Sequence, residues 1–124
     1  MKKFPLLMLI AAAWILIDSP VAGAWEVSLY NGTSVPVKFE IYGQHLFWEQ
    51  IDCTQTLEPG KRGVCTMPGA ICRSSVQFTF WDKTQTRERV EKVTNVATCF
   101  RSWAEVTEDV HGLFDWRTGF VIMY

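Results

Sequence analysis

The sequence predicts an all-β domain, either a small disulfide-stapled antiparallel β-sandwich or a small barrel, with one short helix near the C-terminal strand. Three observations support this prediction. Short segments alternate between apolar and polar residues, and turn signals rich in Gly, Pro and Asn separate them. The chain of 124 residues also contains four cysteines and is 14% aromatic, and disulfides and large aromatic side chains are natural sources of stability for a domain of this size.

The N-terminal segment has the composition of a Sec-type signal peptide. Two lysines precede an apolar run from Phe4 to Ile17, and small residues lead up to a cleavage site after Ala24. The run is shorter than the about 20 residues that a membrane span requires. We therefore expect residues 1–24 to be cleaved and residues 25–124 to form one β domain without a stable membrane span. The protein is expected to be secreted or periplasmic, with bacterial export favoured.

The first two predicted strands are Trp25–Leu29 and Val35–Ile41, in which every second residue is apolar. If these strands pair, a three-residue connection at Asn31–Thr33 sets Leu29 opposite Val35 and keeps the apolar residues on one face. Asn31–Thr33 also fits the N-glycosylation rule, but in a bacterial protein it is simply a turn.

A second turn is predicted at Gly43–Gln44, where a glycine in the first position suits a two-residue type II′ loop. This turn sets Ile41 opposite Leu46 and Phe39 opposite Trp48. The other face of the hairpin then carries His45, Phe47, Glu49 and Ile51.

Three further segments complete the predicted strands. Val76–Phe80 alternates again and predicts a strand, and Asp82–Thr86 predicts a polar turn. Arg87–Thr94 is mixed and charged, which is typical of an edge strand. Thr118–Tyr124 is apolar on both faces, so we expect a central strand that is covered on both sides.

One segment has the pattern of a helix. Ser102–Glu105 matches a capping box, and Val106 and Val110 are four residues apart. Gly112 stands where the residue after a helix would. The sequence therefore predicts a short helix over Trp103–His111.

All four cysteines lie beyond the signal peptide, and an even number in a small exported chain predicts two disulfides. They are Cys53, Cys65, Cys72 and Cys99. Their spacing contains no Cys-x-x-Cys motif, which argues against a redox or zinc site. Four cysteines allow three different pairings.

The turn signal at Leu57–Lys61 favours one of these pairings. In a hairpin whose loop is centred on Pro59, Cys53 and Cys65 stand opposite each other, with Cβ atoms about 4.5–5.5 Å apart. A disulfide needs about 3.5–4.5 Å. The geometry favours a Cys53–Cys65 bridge with the other two cysteines joined, whereas a chain that crosses to the other sheet at the Pro-Gly corner leaves the pairing open.

The sequence predicts no catalytic residue, no metal site and no cofactor. His45 and His111 are the candidates for metal binding, but Asp109 and His111 point apart if their segment is helical. Ser74 and Ser75 lack the Gly-x-Ser-x-Gly pattern of a nucleophile elbow. The net charge of −1 comes without a basic stripe, so neither nucleic acid nor an anionic membrane surface is an expected partner.

Aromatic residues on the face away from the predicted core are the candidate interaction surface. Strand alternation places Tyr42, Phe47 and Trp81 on that face. A second sheet or the helix can cover them in a sandwich. If they are exposed together, they form the kind of patch that marks an interaction surface.

Two short motifs, Asn31–Thr33 after the first strand and Leu57–Gly60 near the middle, resemble those of small secreted immunoglobulin-like sandwiches. The resemblance covers these two motifs alone. It implies architecture and not function, because a fold does not fix what a protein does.

Three classes of function follow, in order of preference. A rigid scaffold without a chemical motif favours an exported, non-enzymatic binding module that recognises a protein or cell-envelope component through an edge strand or an aromatic patch. One alternative is a secreted effector, toxin or enzyme inhibitor that acts on another organism through the Cys65–Cys72 loop. The second alternative is a small hydrolase or metal carrier.

Overall fold

The computed structural model describes residues 25–69 and 71–120, and within them the fold is all-β. This part of the chain forms eight strands: β1 (Trp25–Gly32), β2 (Val37–Gln44), β3 (Glu49–Leu57), β4 (Arg62–Met67), β5 (Cys72–Asp82), β6 (Arg87–Thr98), β7 (Ser102–Glu108) and β8 (Phe114–Phe120). They make two four-stranded sheets around a shared core, which is a small β-sandwich. The predicted signal peptide, residues 1–24, lies outside the described residues, as do residues 121–124 of the predicted last strand.

The two sheets have different strand orders. Sheet A runs β4-β1-β7-β8, and sheet B runs β3-β2-β5-β6. Neighbouring strands are antiparallel except β1 and β7, which are parallel. Since β1 lies between β4 and β7 and not beside β2, the likeness to immunoglobulin domains extends to two packed sheets and not to strand order.

The core lies between the sheets and is built by alternate residues of the strands. In β1, β2 and the centre of β5, the alternation of apolar and polar residues that predicted these strands matches the alternation of buried and less buried residues. Phe39 of β2 and Phe78 of β5 pack edge to face, with ring centroids 5.6 Å apart. The buried apolar residues are Trp25, Val27, Leu29, Val37, Phe39, Ile41, Leu57, Cys65, Met67, Val76, Phe78, Phe80, Ala104 and Val106.

The first two strands do not pair with each other, because β1 and β2 lie in different sheets. Asn31 fixes the crossing between them. Its buried side-chain amide donates hydrogen bonds to the carbonyl oxygens of Val35 and Leu57, both at 2.8 Å, and its Oδ1 accepts one from the Thr33 N–H at 2.9 Å. Asn31 is therefore a structural residue, and its burial makes the amide inaccessible to glycosylation.

The second predicted hairpin is present between β2 and β3, but its turn is misplaced. The turn is made by residues 45–48, and Gly43–Gln44 remains in β2. Ile41 consequently faces Cys53 and not Leu46. A shift of register beside Ile41 accompanies this change.

Gly43 serves close packing and not a turn. A Cβ atom added there would overlap the Asp52 carboxylate and would lie 2.6 Å from the Ile71 side chain. The glycine in the sequence therefore reports the close approach of neighbouring side chains to β2.

The Pro-Gly corner carries the chain from one sheet to the other. β3 ends at Leu57 in sheet B and β4 begins at Arg62 in sheet A, with Gly60 at a φ of 76° between them. Cys53 and Cys65 are disulfide-bonded with Cα atoms 6.1 Å apart, so this bridge joins the sheets. The favoured disulfide pairing, Cys53–Cys65 with Cys72–Cys99, is confirmed. The hairpin that led to it is wrong, because β3 lies in sheet B and β4 lies in sheet A.

The predicted short helix over Trp103–His111 is wrong, because Ser102–Glu108 forms β7 inside sheet A. Ser102, Ala104 and Val106 are buried, whereas the residues between them are half-exposed. This period of two is that of a strand. Pairing with β1 on one side and β8 on the other outweighs the local capping signal.

The last strands are partly as predicted. β8 (Phe114–Phe120) is the edge of sheet A, so the expectation of a covered central strand over Thr118–Tyr124 is wrong for its described residues. β6 is the edge of sheet B, as the charged sequence of Arg87–Thr94 predicted. The polar turn before β6 is also confirmed, and in it Asp82 Oδ1 accepts a hydrogen bond from the Thr84 N–H at 2.9 Å.

A buried arginine adds a polar link between the sheets. Arg73 of β5 is 2% exposed, and its Nη1 donates a hydrogen bond to Thr118 Oγ1 of β8. Thr118 in turn donates to the Trp103 carbonyl oxygen at 2.7 Å. Burial lowers the pKa of the Arg73 guanidinium, since it disfavours the charged form.

Candidate functional site: an apolar end of the sandwich

Strand directions bring several connections to one end of the sandwich. The β2–β3 loop follows Gln44, which pairs with Cys72 at the start of β5. Cys72 is disulfide-bonded to Cys99 in the connection between β6 and β7. Phe120, the last residue of β8, reaches the same end because it pairs with Ser102 at the start of β7.

This end of the molecule exposes large apolar side chains. Among the described residues, five of them are more than half exposed there: Leu46 (81%), Phe47 (87%), Trp48 (54%), Phe100 (67%) and Phe120 (55%). We call these five residues the apolar end. Large apolar side chains that are grouped and exposed mark interaction surfaces more often than scattered ones do.

The β2–β3 loop is held by its own hydrogen bonds. The His45 N–H donates to the Trp48 carbonyl oxygen at 2.7 Å. The Gln44 side-chain amide donates to the carbonyl oxygens of His45 at 2.9 Å and Trp48 at 3.2 Å. Trp48 Nε1 donates to Gln50 Oε1 at 3.0 Å. The two apolar residues at the tip are therefore displayed by a fixed loop.

A histidine–carboxylate pair anchors the same loop to β3. His45 Nε2 lies 2.8 Å from Asp52 Oδ2, and Gln50 Nε2 donates to Asp52 Oδ1 at 2.9 Å. The His45 ring stacks on the Trp48 indole, with ring centroids 5.7 Å apart and planes 9° from parallel. His45 thus orients the loop, and its ring is occupied by structural contacts.

Glu49, the first residue of β3, ties the loop to β5 and β6. Its carboxylate accepts hydrogen bonds from Lys92 Nζ at 2.7 Å and from the hydroxyls of Ser74 and Ser75. These bonds, with that of Lys92 the strongest, lower the pKa of Glu49 from 4.5 to about 2. Lys92 Nζ also lies 4.0 Å from the centre of the Tyr42 ring, so the charge is shared between a carboxylate and an aromatic face.

The three residues predicted as an interaction surface do not share one patch. Phe47 belongs to the apolar end. Trp81 is 51% exposed but lies at the far end of β5, about 30 Å from Cys72 at about 3.3 Å per residue. Tyr42 is half-buried beneath Lys92. Whether each of them contacts a partner stays a prediction.

Most of the apolar end is absent from the sequence-based prediction. Its signal is present in Leu46–Trp48, since three consecutive large apolar residues are unusual in a surface turn. The misplaced turn at Gly43–Gln44 assigns all three of these residues to a strand and hides that signal. Phe100 and Phe120 have no local signal, because the fold alone brings them to the same end of the sandwich as the loop.

The second histidine lies at the opposite end, in the β7–β8 turn. Asp109 Oδ1 accepts hydrogen bonds from the N–H groups of Leu113 at 2.9 Å and His111 at 2.8 Å, and these bonds lower the pKa of Asp109. Asp109 thus shapes the turn. Within residues 25–69 and 71–120, no group of three His, Cys, Asp or Glu side chains is placed to hold a metal ion. The same residues contain no helix that is long and apolar enough to cross a membrane.

The fold and this end together define a disulfide-bonded β-sandwich that displays apolar loops. No protein-family model matches the sequence, and no curated protein matches it. Among solved structures, the fold is similar to part of pneumolysin, described as a sugar-binding protein, with a TM-score of 0.57 and 11% identity over 80% of this chain and 24% of pneumolysin.

Two further solved structures are similar to a comparable extent. Suilysin, a cytotoxin protein from Streptococcus suis, has a TM-score of 0.55 and 6% identity over 82% of this chain and 24% of its own. A structure described as a trapped toxin has a TM-score of 0.52 and 9% identity over 79% and 24%. At such identities the similarity shows a shared fold, and the chain spans about a quarter of the length of these proteins.

Proposed function

We propose that this chain is an exported, non-enzymatic binding module whose apolar end inserts into the interfacial region of a cell's lipid surface. The observation that carries the proposal is the exposure of Leu46, Phe47 and Phe100 on neighbouring connections. Moving a Leu or Phe side chain from water to an apolar environment is worth about 1.5–3 kcal/mol. Several such side chains on one end are enough for reversible attachment.

A lipid surface suits this end because the two carboxylates nearest the loop already have polar partners. Glu49 pairs with Lys92, and Asp52 contacts His45 and Gln50, which reduces the cost of bringing these carboxylates close to hydrocarbon. Trp48 carries an indole N–H on an apolar ring, a side chain that favours membrane interfaces. Arg101, exposed beside Phe100, can keep its charge among the headgroups while its neighbour inserts.

The lipid expected from the charge of the protein is zwitterionic. A net charge of −1 gives no general attraction to anionic headgroups.

Binding of a protein partner by strand addition to a sheet edge is less favoured, because the edge strand β6 carries alternating charges that discourage such addition.

The alternative function is that of a secreted effector or toxin, which would bind the membrane of another organism. It is supported by the names of the structural neighbours, a cytotoxin and a trapped toxin, and by two disulfides, which are typical of exported proteins. Within the Cys65–Cys72 segment, Met67 is fully buried, whereas Pro68 and Gly69 are exposed.

Vesicle binding by matched pairs of variants tests the proposal. Leu46→Ser/Phe47→Ser removes two apolar side chains from the apolar end, and we expect its partitioning onto phosphatidylcholine vesicles to fall at least about tenfold. Val110→Ser/Leu113→Ser is the control, because both side chains are exposed in the turn at the opposite end. Cosedimentation of the disulfide-intact protein with vesicles measures the partitioning.

Two outcomes would overturn the proposal. In one, the control pair weakens binding as much as the pair in the apolar end does. In the other, wild-type protein ignores vesicles and binds cells through a protease-sensitive component, which would assign this end to a protein partner.

A further inference from the structure

A buried positive charge lies between the two sheets, close to the apolar end. Arg73 of sheet B is 2% exposed, and its Nη1 donates a hydrogen bond to Thr118 Oγ1 of sheet A. Its Nε is buried and has no hydrogen-bond partner among the described residues. Within residues 25–69 and 71–120, no carboxylate forms an ion pair with Arg73. Arginine stays protonated in proteins, and a buried charge without a counter-charge is costly, so this side chain favours an anion.

A second buried polar group lies near this arginine. The Ser102 side chain is 1% exposed, and its Oγ has no hydrogen-bond partner in the described part of the chain. Ser102 pairs with Phe120 and Ala104 pairs with Thr118, so Ser102 and Thr118 are diagonal neighbours on the inner face of sheet A, about 7–8 Å apart. Most buried polar side-chain atoms have a partner, so two unpartnered ones on either side of Thr118 point to a ligand.

These side chains lie at the base of the apolar end. Arg73 follows Cys72, which is disulfide-bonded to the connection that carries Phe100, and Thr118 is two residues from the exposed Phe120. Thr118 is half-buried and belongs to the edge strand β8. The guanidinium is therefore one hydrogen bond away from the edge of the sandwich, where a ligand held at the apolar end can reach it.

We propose that Arg73 and Ser102 bind the phosphate group of a ligand that approaches from the apolar end. A guanidinium presents parallel N–H donors that match two oxygens of a phosphate, and the Ser102 hydroxyl adds a donor from the other sheet. With hydrogen bonds of about 2.7–2.9 Å on each side, a tetrahedral phosphate bridges donors that stand several ångströms apart.

The phosphate has two sources with the same chemistry, a lipid headgroup and a soluble phosphate. The first source rests on the proposed attachment to lipid, because insertion of Phe100 and Phe120 would bring headgroup phosphates to the base of the apolar end. The second needs no membrane. Measurements without vesicles therefore test the site itself, and measurements with vesicles test the source.

Titration with inorganic phosphate tests the site without a membrane. In NMR spectra of the disulfide-intact protein, the Nε–H signal of Arg73, assigned by its loss in Arg73→Lys, should shift with a dissociation constant of about 1 mM. Sodium chloride at equal ionic strength should leave it in place. Arg73→Lys keeps the charge but not the paired donors, so its backbone signals should report at least about tenfold weaker binding. Arg117→Lys, the same change at an exposed residue of β8, should bind like wild type.

Ser102→Ala covers the case in which Arg73→Lys does not fold. The Ser102 hydroxyl has no partner among the described residues, so its removal should leave the free energy of unfolding nearly unchanged. We expect phosphate binding to weaken about three- to tenfold, since one hydrogen bond to the ligand is lost. Ser28→Ala, at an exposed residue of β1, is the matched control and should bind like wild type.

Two vesicle compositions identify the source of the phosphate. For a lipid source, wild-type protein should bind phosphatidylcholine vesicles more tightly than vesicles of digalactosyldiacylglycerol, which contains no phosphate, and Ser102→Ala should reduce this preference. Phosphate binding without binding to either vesicle supports the site with a soluble ligand and overturns the attachment to lipid alone. An Arg73 signal that ignores both inorganic phosphate and glycerophosphocholine, or phosphate binding that Arg73→Lys and Ser102→Ala leave unchanged, would overturn the phosphate site.

Discussion

Polar side chains hold the exposed apolar loop in one shape. His45 stacks on Trp48 and pairs with Asp52, and Glu49 is bound by Lys92. Apolar residues at a loop tip make few contacts of their own, so the geometry of the tip depends on these neighbours. The residues that position the apolar end are thus more polar than the residues that it displays.

Glu49→Gln tests this role of the polar residues through its dependence on pH. The folded-state pKa of about 2 lies below the ordinary 4.5, so the ionised carboxylate stabilises the fold above about pH 4.5 and loses that contribution as the pH falls towards 2. The difference in free energy of unfolding between wild type and Glu49→Gln should be largest at neutral pH and should shrink across that interval. Urea denaturation over a pH series measures it.

The matched control for this measurement is Glu58→Gln, a carboxylate exposed in the turn after β3. We expect its effect on the free energy of unfolding to stay small at every pH. A Glu49→Gln difference that remains constant from neutral to acid pH would show that the carboxylate does not act as an ionised partner of Lys92.

Among the strands, the sequence predicts those in which burial follows the local alternation of apolar and polar residues. Trp25–Leu29 and Val76–Phe80 could be predicted, because one face of each strand is apolar and lies in the core. β7 could not be predicted, because Ser102–Glu105 carries a helix-capping signal. The strand also depends on its pairing with β1, which is distant in sequence. The apolar end also depends on contacts between residues that are distant in sequence, so Leu46–Trp48 is its only segment with a signal in the local sequence.

The two disulfides act on different elements. Cys53–Cys65 joins β3 to β4 across the sheets, and Cys72–Cys99 holds the connection that carries Phe100 against the start of β5. Loop-closure entropy predicts that replacing either pair with alanine lowers the free energy of unfolding by about 3 kcal/mol. Thermal or urea denaturation measures this loss.

Vesicle binding should separate the two pairs. Cys72→Ala/Cys99→Ala releases part of the apolar end and should weaken binding, whereas Cys53→Ala/Cys65→Ala should bind like wild type once the unfolded fraction is subtracted. Equal binding by both double variants would mean that the connection around Phe100 takes no part in attachment.

The two ends of the described sandwich carry different groups of side chains. One end carries the five residues of the apolar end, and the other carries the exposed Trp81, Val110 and Leu113 together with a polar cluster in which the Ser34 hydroxyl lies 2.7 Å from the Glu108 carboxylate. The bonds in this cluster, with that of Ser34 the strongest, lower the pKa of Glu108. The sandwich between the two ends sets the distance from a lipid surface at the apolar end to the turns at the opposite end.

Quenching of tryptophan fluorescence by brominated phosphatidylcholine tests the lipid attachment most directly. Trp48 lies in the apolar end and Trp81 is similarly exposed near the opposite end. We expect vesicles with bromine high on the acyl chains to quench the fluorescence of wild-type protein, Trp48→Phe to lose most of this quenching, and Trp81→Phe to retain it. Quenching that survives in Trp48→Phe and disappears in Trp81→Phe would place the opposite end in the lipid and contradict attachment through the apolar end.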